Sequence, residues 1–116
     1  DLATFSHWLA EVRRLAGRPV TIIAGVMVLR SAEQAERLSK VPGLALDAAV
    51  IARLKKADDA EGEGVLMAIE TVKSLRALPG VGGVHLYAIE WPDGVTKVVR
   101  GAGLYPRTNM KESKSA

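Results

Sequence analysis

The sequence predicts an α/β fold, and three observations carry that expectation. Val20 to Leu29 is apolar almost without interruption and rich in Val and Ile. Segments on both sides of it place apolar residues at helical spacing. A second apolar run, Val84 to Ile89, returns only after more than fifty residues. A strand without polar alternation is expected to be buried on both faces, the condition of parallel sheets covered by helices. A long crossover is what a parallel pair requires.

Taken in order, Leu2 to Ala16 sets Phe5, Trp8, Leu9, Val12 and Leu15 on one face and Glu11, Arg13 and Arg14 on the other. That is an amphipathic helix, with Trp8 and its apolar neighbours expected in the core and His7 toward solvent or a neighbouring element. Gly17 and Pro19 stop it before the first strand. Ser31 and Gln34 have capping-box spacing, and a helix to about Ser39 follows. Pro42 and Gly43 break the chain. Asp47 then caps a helix running to about Lys56, with Leu46 and Ile51 at the two positions of a hydrophobic staple.

The acidic stretch Asp58 to Gly64 is expected as an exposed loop. A longer helix follows, with Val65, Ala68, Ile69, Val72 and Leu75 as its apolar stripe, ending before Pro79 and Gly80. Gly82 and Gly83 lead into the second strand, which puts His85 and Tyr87 on one face and Leu86 and Ala88 on the other. Pro92, Asp93 and Gly94 form a turn, Val95 to Ala102 a short final helix, and residues 107–116 a mobile tail with too little apolar content to pack.

At 116 residues with 48% hydrophobic and 25% charged, the chain has the composition of one globular domain. Its longest apolar run is about half of the roughly 20 residues a spanning helix needs, and no charged-then-apolar leader opens it. A cytoplasmic protein without membrane association is expected. With no cysteine, disulfides, thiolate metal sites and cysteine nucleophiles are excluded. The net charge is +3, and the tail, with Arg107, Lys111 and Lys114 against Glu112, supplies most of it. The remaining basic residues are not clustered with aromatics, which argues against nucleic-acid binding.

Pro19 to Arg107 resembles the last two βα units of the methylenetetrahydrofolate reductase family, particularly its archaeal and actinobacterial-like members. The likeness rests on Ile22-Ile23-Ala24-Gly25-Val26 as a seventh barrel strand, Ser31 to Ala35 at a helix start, and Val41-Pro42-Gly43. It continues in Gly83-Val84-His85-Leu86-Tyr87-Ala88-Ile89 as an eighth strand and closes on Ala102-Gly103-Leu104-Tyr105-Pro106-Arg107. The resemblance implies that residues 1–106 are the C-terminal βα units of a TIM (β/α)8 barrel, incomplete on their own. An eight-stranded barrel usually needs about 250 residues. The remaining strands are then expected from the same or another chain, with a homo-oligomer as a further arrangement.

The family implies flavin-dependent reduction of methylenetetrahydrofolate to methyltetrahydrofolate, with FAD and NAD(P)H as cofactors and folate as substrate. Its catalytic and flavin-binding residues lie chiefly on earlier strands, so none is assigned here and this piece alone is expected to be inactive. The best-known bacterial pattern has a proline and an aromatic where this chain has Val28 and Ala32. It has asparagine and arginine where this chain has Glu90 and Trp91.

Barrel active sites form at the carboxyl ends of the strands, which selects Met27, Arg30, Tyr87 and Glu90 as candidate substrate-binding residues. Arg30 suits a folate carboxylate or a phosphate, or else an ordinary salt bridge. Tyr87 offers a stacking ring or a core contact. Glu90 lacks a second carboxylate or histidine with which to work as an acid/base pair. His85, early in its strand, is expected to be a hydrogen-bonded core histidine, and two isolated histidines lack metal-ligand spacing. Gly80, Gly82 and Gly83 precede a strand, the wrong order for a dinucleotide fingerprint, and are assigned to a turn. Gly25 permits a bend or a close ligand approach, or else simple packing relief. Two other readings stand beside the reductase: a noncatalytic interaction or scaffold module, and another barrel enzyme binding an anionic substrate.

Overall fold

The structure is a computed structural model that describes residues 1–105. The elements are α1 (Leu2–Ala16), β1 (Ile22–Met27), α2 (Ala32–Ser39), α3 (Ala48–Lys56), α4 (Ala60–Arg76), β2 (Val81–Tyr87) and α5 (Pro92–Gly101). The expected tail and the Pro106-Arg107 end of the closing pattern lie outside the described residues.

The α/β expectation holds. β1 and β2 form a two-stranded parallel sheet, with Gly25 opposite His85 and Met27 opposite Tyr87. The Val28 amide donates to the Tyr87 carbonyl at 2.9 Å, and the Ile22 amide to the Gly80 carbonyl at 3.3 Å. Helices cover one face of the sheet. There Ala24, Val26 and Val28 meet Val65, Ala68, Val72 and Leu75 of α4 and Trp91, Val98 and Ala102 around α5. A smaller cluster of Leu29, Ala32, Ala35 and Leu54 joins α2 and α3 to the exit of β1, and Leu46 and Ile51 both pack on it.

Burial of β1 on both faces is corrected. Its pattern alternates, with Ala24 and Val26 buried while Gly25 is exposed and Ile23 is 67% exposed. The continuous apolar run stands because one side of the sheet carries no covering element among the described residues. On that open face lie Ile23 and Gly25 beside Gly83, His85 and Tyr87, while Met27 at the strand end packs on the smaller core. The placement of Trp8 in the core is corrected on related grounds: it is 50% exposed and touches Phe5 at 5.7 Å between ring centroids, while Leu9 alone of α1 is buried.

The expected loop Asp58 to Gly64 is mostly helix. Asp59 caps α4 by accepting the Gly62 amide at 3.0 Å, and Glu61 and Glu63 complement the positive end of the helix. These terms outweigh the cost of two glycines in the first turns. Gly64 is buried because an added methyl would overlap the Leu29 carbonyl oxygen, so α4 crosses the end of β1 at backbone contact.

β2 starts earlier than expected, at Val81, and Gly82 and Gly83 are ladder residues rather than turn residues. Backbone pairing needs no side chain, and a methyl on Gly82 would run into Thr21. Only Gly80, at φ 93°, keeps the assigned turn role. The expected Pro92-Asp93-Gly94 turn is the first turn of α5, because the fixed φ of proline suits the first helical position.

The predicted caps are present. Ser31 Oγ accepts the Gln34 amide at 3.1 Å, and Asp47 accepts the Ala49 amide at 2.9 Å. Gln34 completes its box one residue early, accepting from the Arg30 amide at 2.8 Å instead of from Ser31. Between helices, Arg53 of α3 donates through both terminal nitrogens to Glu70 of α4, at 2.8 and 3.1 Å, and also pairs with Glu63. Lys55 pairs with Glu36 and ties α3 to α2.

Candidate substrate-binding rim

Because the strands are parallel, both carboxyl ends open on one rim. The register places Met27 and Tyr87 side by side at the ends of β1 and β2. Tyr87 is 39% exposed, and its ring stacks on His85 with centroids 5.4 Å apart at an interplanar angle of 29°. His85 is therefore not the hydrogen-bonded core residue expected. It is exposed and shares the open face with Tyr87, since the strand alternation that packs the partly buried Val84 and Leu86 against the helix-covered core turns it away from them.

Gly25 lies under this pair: a methyl built there would sit 3.6 Å from Tyr87 Cε1, an ordinary contact. The ring would tolerate a methyl at this position, so packing relief is not required of the glycine by the described residues. Met27 is half-buried and reaches the smaller core. With Gly25, Leu38, Leu46, Met67 and Tyr87 it lines an open cavity of about 330 Å³. A flat ring, a thioether and aliphatic walls favour a planar, largely apolar ligand surface.

The charged part of the rim lies just beyond. Arg30 Nε donates to Glu61 Oε2 at 3.0 Å, and the Arg30 guanidinium carbon lies 5.3 Å from the centre of the Trp91 ring. Trp91 is buried and Gly94 lies against its indole, where a methyl would come within 2.6 Å of Cε3. Glu90, the residue before Trp91, is exposed with φ 50°, a left-handed backbone that turns the chain sharply from β2 into α5. The four candidate residues thus share one rim but form two groups, Met27 with Tyr87 and Arg30 with Trp91, with Glu90 beside the second. Glu61 was missed because its segment was taken for a loop; the signal available was Asp59 three residues ahead of Gly62 in an acidic stretch, an N-cap pattern.

Among the described residues, no group of three or more His, Cys, Asp or Glu is placed to hold a metal ion, and no helix is long and apolar enough to cross a membrane.

The family model for methylenetetrahydrofolate reductase matches residues 1–103. The chain belongs to the methylenetetrahydrofolate reductase family. A search of curated proteins found no match. The family match covers α1, both strands, the whole crossover and α5, so the stretches that carry the resemblance all fall within it apart from the final Leu104 to Arg107. In this methylenetetrahydrofolate reductase-family chain the parallel pair and its covering helices are a partial βα assembly.

Proposed function

We propose that residues 1–106 form the C-terminal part of a TIM-barrel, flavin-dependent reductase that converts methylenetetrahydrofolate to methyltetrahydrofolate. The single observation that best supports this reading is the family match over residues 1–103. The one-sided sheet agrees with it, because the inner face of a barrel strand is covered only when the remaining strands are present. Those strands come from the same chain or from another.

In that assembly Met27, Arg30, Tyr87 and Glu90 line the substrate wall. The Tyr87 ring, part-exposed beside His85 and Gly25, fits one side of a planar ring such as pterin or isoalloxazine. FAD supplies hydride transfer when bound, with NAD(P)H as donor. The residues described here fit one wall of such a site and not a whole one. Their part is to bind and orient the ligand.

The test is the protein from its natural source. A flavin absorbance band, turnover of methylenetetrahydrofolate and a mass of about 30 kDa, the size of a complete barrel, support the proposal. A native mass of 12.4 kDa without flavin rejects it and favours an interaction module that uses the free strand edges. The 116-residue chain by itself is expected to show no reductase turnover.

A further inference from the structure

Two close approaches converge on Arg30. Gly64 lets α4 touch the backbone at the end of β1, which brings Glu61, three residues earlier, within reach of the guanidinium. Gly94 lets α5 lie against the Trp91 indole, which fixes that ring beneath the same guanidinium. Glu61 engages only Nε. Among the described residues, the Nη1 and Nη2 edge has no hydrogen-bond partner, and the Arg30 side chain is 50% exposed. An arginine fixed at Nε and backed by a ring presents its two terminal nitrogens as a fork, the geometry that receives a carboxylate or phosphate bidentately.

The geometry points to Glu61 and Trp91 as positioning residues that hold Arg30 as a preformed fork for an anionic oxygen pair at the rim. This deepens the proposed reductase function and rests on it for the identity of the ligand. Folate ends in glutamyl carboxylates, and the nicotinamide cofactor carries phosphates. Either supplies the required pair of oxygens. The Glu61 carboxylate does not fill the fork, because it lies at its side.

The test compares Arg30→Lys, Glu61→Gln and Trp91→Phe in the complete enzyme, with folding checked by circular dichroism and melting temperature. Arg30→Lys keeps the charge and loses the fork, and is expected to raise one KM by about tenfold, the scale of one lost charged hydrogen bond. Glu61→Gln and Trp91→Phe are expected to raise the same KM by about threefold, a smaller loss because the guanidinium remains but is less well held. The losses are read in KM more than in kcat. A rise for methylenetetrahydrofolate identifies the carboxylate as the partner, and a rise for NAD(P)H the phosphate; either supports the inference. Folded variants with both KM values unchanged overturn it.

A wild-type enzyme without reductase activity overturns the functional reading alone. The fork is then tested by titrating the 116-residue protein with γ-glutamylglutamate and with pyrophosphate while following the Arg30 side-chain nitrogen resonances. A saturable shift with either probe that is weakened in Glu61→Gln and in Trp91→Phe, both of which keep the guanidinium, supports the inference. No shift by about 10 mM probe, beyond the range of any useful affinity, overturns it.

Discussion

Gly64 and Leu29 touch through their backbones: α4 crosses the end of β1 so closely that any side chain at Gly64 would occupy the space of the Leu29 carbonyl oxygen. Gly64→Ala is therefore expected to destabilise the protein by about 3 kcal/mol, at the upper end of overpacking costs, because backbone cannot yield as a side-chain tip does. Urea unfolding of the variant measures this. An unchanged midpoint would show that the contact is looser than described. Gly25→Ala makes the opposite case, since its methyl meets Tyr87 at 3.6 Å, and should change stability by less than about 0.5 kcal/mol.

Leu54 and Leu15 give a matched pair of truncations. Leu54 is buried at the heart of the smaller core, whereas Leu15 is exposed near the end of α1. Leu54→Ala should cost about 2–5 kcal/mol and Leu15→Ala less than about 0.5 kcal/mol. Thermal unfolding that ranked them equally would mean that the smaller core contributes little.

Acid should weaken the α3–α4 junction. The hydrogen bonds from Arg53 hold the Glu70 carboxyl below its ordinary value of 4.5, opposed by a small desolvation effect. Glu36 is lowered in the same way by Lys55. A carboxyl lowered on folding adds stability in full above its unfolded value and loses it as the pH falls through the folded one. Stability should accordingly drop below about pH 4.5, and Glu70→Gln should flatten that drop in denaturation series run from about pH 3 to about pH 7. A series in which the variant and the parent protein lose stability in parallel would assign the acid sensitivity elsewhere.

Ile23 offers a test of the open face. Ile23→Lys places a charge where the residue is already mostly exposed, so the fold of the isolated chain should survive within about 0.5 kcal/mol while self-association falls. Sedimentation velocity reads the association. In a complete barrel the same change buries an unpaired ammonium, and the assembly should fail.

Helix periodicity and caps made much of this legible in advance. α1, α2 and α3 end where Gly17, Ser39 and Lys56 were expected, because their stop signals and capping side chains are local. The errors lie where a distant contact decides. A glycine-containing acidic stretch became helix because α4 needs Gly64 for its crossing of β1, and glycines before β2 became strand because β1 supplied the hydrogen bonds. At the rim, the strand ends located Met27, Arg30, Tyr87 and Glu90 on one side of the molecule. No local pattern revealed that Trp91, far away in sequence, lies beneath Arg30; strand alternation put His85 on the face of Tyr87 but not that this face is the uncovered one.

The parallel pairing of β1 with β2 also sets an order of assembly. The strands are separated in sequence by α2, α3 and α4, so pairing them closes a long loop, an entropic cost that the interstrand bonds must offset. The cluster around Leu54 joins segments nearer in sequence and can condense first. Until the ladder closes, Ile22 to Met27 is an unpaired apolar segment with a strong tendency to add to any strand it encounters.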